Sequence, residues 1–139
     1  MISDLERGMG AIQNAGDFLF RLNVYENSSY LTRYPFQSFP LPKSLNERVF
    51  LGAEVITQMH YFYIFTKSCW SAPSVDPNNT VSYPMMYNGC PADSFTFLQP
   101  RLHKEDRFET KTLRFPGSNF VYIQCDVIIC DLRKANATG

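Results

Sequence analysis

From Asp17 the chain alternates apolar and polar positions, with Phe18, Phe20, Leu22 and Val24 on one face and Arg21, Asn23 and Tyr25 on the other. A sustained period of two predicts a half-buried β-strand. The next stretch holds Pro35, Pro40 and Pro42, too much proline for a helix or a central strand. Two aromatic and β-branched runs follow, Arg48 to Thr57 and His60 to Cys69, separated by Gln58-Met59. Pro73, Pro77, Asn78 and Asn79 predict a loop. Val81 to Tyr87 reads as a short strand that Pro84 confines to an edge, and Asn88-Gly89 is a turn dipeptide. Arg107 to Phe115 and Asn119 to Cys130 complete the strands, joined by Pro116-Gly117-Ser118. A helical repeat shows only weakly, from Leu5 to Ile12, where glycines interrupt it. The pattern predicts an all-β sandwich of about seven strands over residues 17–132, a glycine-containing lead-in over 1–16 and a tail over 133–139.

Composition narrows the function classes. With 139 residues, 45% hydrophobic and 15% aromatic, the chain suits one domain with a real core. Thirteen basic residues balance thirteen acidic ones, which argues against a protein that binds nucleic acid or anionic lipid by neutralising phosphates. There is no apolar run of about 18 residues to span a membrane. The start, Met1-Ile2-Ser3-Asp4-Leu5-Glu6-Arg7, lacks the basic and apolar regions of a signal peptide.

Four cysteines permit two disulfides. Val121, Ile123, Cys125, Val127 and Ile129 share one apolar face by parity, so Cys125 should point into the core and Cys130 away from it. Those two cannot bridge each other within one regular strand, and Cys69 and Cys90 are the partners available. A zinc site from His60, His103 and the cysteines lacks the paired short spacings zinc ligands show, so no metal is expected; free thiols in a reducing compartment are a second alternative. Asn27-Ser28-Ser29, Asn78-Asn79-Thr80 and Asn136-Ala137-Thr138 fit the N-glycosylation acceptor pattern and fall in predicted loops or at the terminus. Together with the cysteines they favour the secretory pathway. Catalytic chemistry is poorly supported: no nucleophile elbow surrounds Ser68, Ser71 or Ser74, and nothing calls for a cofactor. Asp126 and Asp131 read as outward charges, and Arg101, Lys104, Glu105, Asp106 and Arg107 as a solvated hairpin. Trp70 is expected to pack on a disulfide at Cys69. Tyr30, Tyr34, Phe36 and Phe39 crowd the proline-rich stretch, to cover a sheet edge or to form a partner surface.

Cys69-Trp70-Ser71-Ala72-Pro73, then Asn88-Gly89-Cys90-Pro91-Ala92-Asp93, then Phe115 and Val121-Tyr122-Ile123-Gln124-Cys125-Asp126-Val127 with Cys130-Asp131, together resemble the zona pellucida (ZP) module. The resemblance covers residues 17–132 and implies its C-terminal subdomain, an immunoglobulin-like β-sandwich of seven or eight strands with disulfides. It implies an extracellular, non-enzymatic module that joins other ZP modules in filaments or matrix. A growth-factor-binding ectodomain of a co-receptor, similar to betaglycan or endoglin, is the alternative; an intracellular enzyme with free thiols is a distant third. Homo-oligomers fit the first reading. The resemblance pairs Cys69 with Cys125 across the sandwich and sends Cys90 toward the end of the domain, where further cysteines usually follow. With none after Cys130, Cys90 is left with Cys130 as its available partner. A cleavage site, external hydrophobic patch and membrane anchor are likewise expected downstream, so the chain reads as a fragment of a secreted or membrane-anchored protein. Phe18, Phe20, Leu22 and Val24 occupy the place of the family's internal hydrophobic patch, which governs polymerisation; the plainer reading is the first strand of the core.

Overall fold

The computed structural model describes residues 2–3, 12–13, 19–76, 78 and 81–135. Among the described residues ten strands run in chain order: β1 (Ile2–Ser3), β2 (Ile12–Gln13), β3 (Leu19–Tyr25), β4 (Arg48–Ile56), β5 (Phe62–Ala72), β6 (Tyr83–Tyr87), β7 (Cys90–Pro91), β8 (Phe97–Leu98), β9 (Glu105–Lys111) and β10 (Val121–Asp131). One sheet is ordered β3-β4-β9-β8; in the other, β10-β5-β6-β7, the pairs are antiparallel, and β1 and β2 add to β10 in parallel. The fold is thus the expected all-β sandwich. Its long strands start and stop within a few residues of the predicted ones, and β1, β2, β7 and β8 are short additions that the pattern does not announce, the first two within the stretch read as a lead-in.

Turn chemistry sets the connections. Asn88 and Gly89 both have positive φ, at 50° and 81°, the left-handed pair that a two-residue hairpin between Tyr87 and Cys90 needs. At Phe115-Pro116-Gly117-Ser118 the Ser118 N–H donates to the Phe115 carbonyl at 3.1 Å and Gly117 takes φ 78°, the proline and glycine preferences of a type II turn. Pro84 lies opposite Trp70 on β5, beyond the reach of β7, which pairs only Met86 and Tyr87; its missing N–H faces no ladder there.

Strand parity builds the core. Val121, Ile123, Cys125, Val127 and Ile129 of β10 are all buried, and they meet Val49, Leu51, Ala53 and Val55 of β4, Ile64 of β5, Met85 and Met86 of β6, and Phe108 of β9. Truncating Phe108 to alanine would cost about 3–5 kcal/mol. The Cys69–Cys125 disulfide forms, but not across the sandwich. Cys69 and Cys125 face each other on neighbouring strands of one sheet, so the bridge staples β5 to β10 beneath the opposite sheet. Trp70, one residue on, therefore points to the outer face instead of onto the disulfide, where its Nε1 donates to Gln124 Oε1 at 2.9 Å.

Candidate interaction site

β3 is an edge strand. β4 pairs with it along its whole length, from Leu19 opposite Ile56 to Tyr25 opposite Phe50. On its other side, among the described residues, only its C-terminal end is covered: Tyr25 bridges to Arg33, the Tyr34 N–H donates to the Val24 carbonyl at 2.8 Å, and the Glu26 N–H donates to Thr32. The aromatic, proline-rich segment thus covers part of a sheet edge, with Tyr34 and Phe39 against the core and Phe36 half exposed. Between it and β3 lies a cavity of about 340 Å³, lined by Arg21, Asn23, Arg33, Pro35 and Phe36 among others.

The alternating residues of β3 divide unequally. Leu22 and Val24 are buried in the core and Phe20 packs against it; Phe18 lies outside the described residues. Leu19, 71% exposed, is the large apolar side chain that β3 leaves to solvent.

The opposite face of β3 is also largely buried, against expectation. Asn23 and Tyr25 are covered because residues 26–34 fold back over the sheet and seat Tyr30 edge-on between Tyr25 and Phe50. Tyr30 holds φ 56°, a left-handed conformation uncommon for a side chain of this size. Beneath it lies a polar network. Glu105 Oε2 accepts from the Tyr25 hydroxyl and, at 2.9 Å, from Asn23 Nδ2, while Oε1 accepts from Arg107 Nε at 2.7 Å. Asn23 Nδ2 also donates to Glu54 Oε1, which accepts from Arg21 Nε as well, each at 2.9 Å. The Arg107 guanidinium sits 5.4 Å from the Tyr25 ring centre and 5.2 Å from that of Tyr30. Gly52 of β4 leaves the space that the Glu105 carboxylate fills.

Burial, followed by the Glu105 carboxylate, pushes the Tyr25 phenol up to about 12. Burial likewise raises Tyr30. Burial alone would lower Arg107, but Glu105 and Tyr25 outweigh it and hold the guanidinium above its ordinary value.

The expectation of a solvated hairpin at Glu105 and Asp106 is therefore corrected: both are buried. Asp106 faces inward by the same parity as Phe108. Its Oδ2 accepts the Thr66 N–H at 2.8 Å, freed where β5 bulges beside Asp126 and Val127, so one carboxylate joins the two sheets. Charge suggested solvent; the alternation with Phe108 was the signal for the interior.

Cys90 is exposed, Cys130 half-buried, and they are not bonded to each other. Cys130 lies opposite Tyr63, whereas Gly89, beside Cys90, donates to the Lys67 carbonyl. That offset along β5 is about 13 Å, beyond the reach of a disulfide at about 7 Å between Cα atoms. Asn27 stands exposed in the turn after β3, its Oδ1 accepting the Ser29 N–H at 3.0 Å. Asn78 is exposed, and Asn136 lies outside the described residues. Among the described residues no group of three or more His, Cys, Asp or Glu could hold a metal, and no helix is long and apolar enough to cross a membrane.

A family model, the ZP-C domain of the zona pellucida family, matches residues 14–138. Pancreatic secretory granule membrane major glycoprotein GP2 of Canis lupus familiaris is 22% identical over 126 residues, 87% of this chain and 24% of that protein. Uromodulin of Rattus norvegicus is 26% identical over 136 residues, 94% of this chain and 20% of its own length. CUB and zona pellucida-like domain-containing protein 1 of Mus musculus is 26% identical over 117 residues, covering 84% and 19% respectively. The chain thus spans 19–24% of these relatives' lengths.

Proposed function

The chain belongs to the zona pellucida family as a ZP-C domain, and on that footing we propose that it is an extracellular structural module that takes part in filament or matrix assembly with other modules of its kind. The Cys69–Cys125 disulfide suits an oxidising compartment. The observation that carries the reading is the edge of β3. Among the described residues its N-terminal half has a partner strand on one side only, with an open cavity beside Arg21 and Asn23 and Leu19 in solvent. An edge of this kind accepts a further strand by backbone hydrogen bonding, with side-chain pockets to select it. The work is that of association and involves no catalysis.

The test is made in the full-length parent protein with Leu19→Lys and Phe20→Asp. Secretion should persist while filaments, followed by sedimentation and electron microscopy, are lost in both variants. Normal filaments from Leu19→Lys would refute a role for this edge. Retention of Phe20→Asp in the cell, with Leu19→Lys silent, would reduce β3 to an ordinary core strand.

A further inference from the structure

At the end of the sandwich where Arg48 pairs with Lys111, a second cavity of about 430 Å³ opens between the sheets. Tyr83, Phe95, Phe115 and Leu45 wall it, with Lys111 and Arg114 also on its lining. This volume lies in the range of cavities that bind ligands, and a mostly apolar wall with a few placed polar groups is their usual make-up.

The charges around it are unevenly matched. Lys43 is paired with Glu47 at 3.1 Å and Arg48 with Glu109 at 2.9 Å. The Asp93 carboxylate is on the lining too, but it accepts from the Tyr83 hydroxyl at 2.5 Å and from the Phe95 N–H at 3.0 Å. Lys111 lies over the Phe95 ring, 3.4 Å from its centre. Among the described residues neither Lys111 nor Arg114 has a carboxylate partner. A chain of zero net charge therefore carries two uncompensated cations beside an apolar cavity with Phe95 and Leu45 exposed at it.

We propose that this cavity is a docking site for an acidic segment of a partner protein, which seats one aromatic side chain between Tyr83, Phe95 and Phe115 while a flanking carboxylate pairs with Arg114 and Lys111. A planar guanidinium without a carboxylate partner among the described residues suits two-point recognition of a carboxylate. The site goes beyond the β3 reading and is physically apart from it. Leu19 pairs with Ile56 at the far end of β4, about 27 Å from Arg48 along the strand.

The experiment titrates the isotope-labelled chain with the peptide acetyl-Glu-Phe-Glu-amide and follows backbone amide resonances. Saturable shifts are expected at Phe95 and over residues 111–115. Acetyl-Gln-Phe-Gln-amide, acetyl-Glu-Ala-Glu-amide and the Arg114→Glu variant should each weaken binding about tenfold. Arg114 is exposed and has no carboxylate partner among the described residues, so its variant should keep the wild-type spectrum elsewhere, and Leu19→Lys should bind as wild type does. Equal affinity for the Gln peptide, unchanged binding by Arg114→Glu, or no saturable shift up to ~10 mM peptide would each overturn the proposal, whatever the outcome of the filament test.

Discussion

Replacing Gly52 by alanine places a methyl carbon 2.4 Å from Glu105 Oε2 and 2.8 Å from its Cδ, so the carboxylate must move. A free surface glutamate would swing aside at little cost. This one is buried and held by Tyr25, Asn23 and Arg107. Displacing Oε2 breaks the bonds from Tyr25 and Asn23, each a hydrogen bond to a charged group that contributes about 1.5 kcal/mol or more. Alanine in a strand returns about 0.5–1 kcal/mol of backbone entropy. The net loss is about 2–3 kcal/mol, a fall in melting temperature of roughly 6–10 °C for a domain of this size. The assay is thermal and urea unfolding of Gly52→Ala, Glu105→Ala and the double variant, with the disulfide intact. Once Glu105 is truncated the added methyl meets no carboxylate, so Gly52→Ala should become neutral or slightly stabilising in that background. A cost that persists there would refute the reasoning, because it would place the strain in the backbone and not in the carboxylate.

Three further outcomes follow from the same geometry. Replacing both Cys69 and Cys125 by alanine opens a link between residues 56 apart and should cost about 4 kcal/mol on the chain-entropy account, read as a lower guanidinium midpoint. The phenols of Tyr25 and Tyr83 are raised to about 12, by burial and by the Asp93 hydrogen bond respectively. An unfolded phenol titrates near about 10, so their contribution should be whole below pH ~10 and be lost as pH rises toward ~12; Tyr25→Phe should flatten that slope in urea midpoints. Thiol titration of the unreduced, folded chain should find Cys90 reacting faster than Cys130, with two thiols in all before reduction and four after.

What the residues disclose and what they conceal divide along physical lines. Period-two alternation in β10 predicts its inner face, Cys125 included, because a strand has only two sides and one of them was wholly apolar. Asn88-Gly89 and Pro116-Gly117 predict their turns because few other residues adopt those dihedrals. β7 and β8 are too short for any period to register. The polar network was hidden for a different reason. Whether Asn23, Tyr25 and Glu105 meet water depends on residues 26–34 returning over the sheet, a tertiary event that no local pattern encodes. Of the interaction site, the strand and its apolar face were legible. That its edge is open among the described residues, and that Leu22 and Val24 are committed to the core, required knowing which strand lies beside it.

The two surfaces differ in how they can hold a partner, and the charge pairing makes that difference measurable. Beside β3, Arg21 and Arg33 share the single Glu54 carboxylate, at 2.9 and 3.8 Å, so both cations are already engaged, with one positive charge left over, and an added strand associates mainly through backbone hydrogen bonds and apolar contact. At the other end Lys111 and Arg114 have no carboxylate partner among the described residues, and the attraction they exert on a carboxylate at the surface is screened over about 8 Å at physiological salt. Raising ionic strength should therefore weaken the acidic peptide at the cavity while leaving assembly through β3 unchanged or strengthened. If salt abolished assembly instead, charge and not strand addition would be its driving force, and the neutrality of this chain would have misled about where its association energy resides.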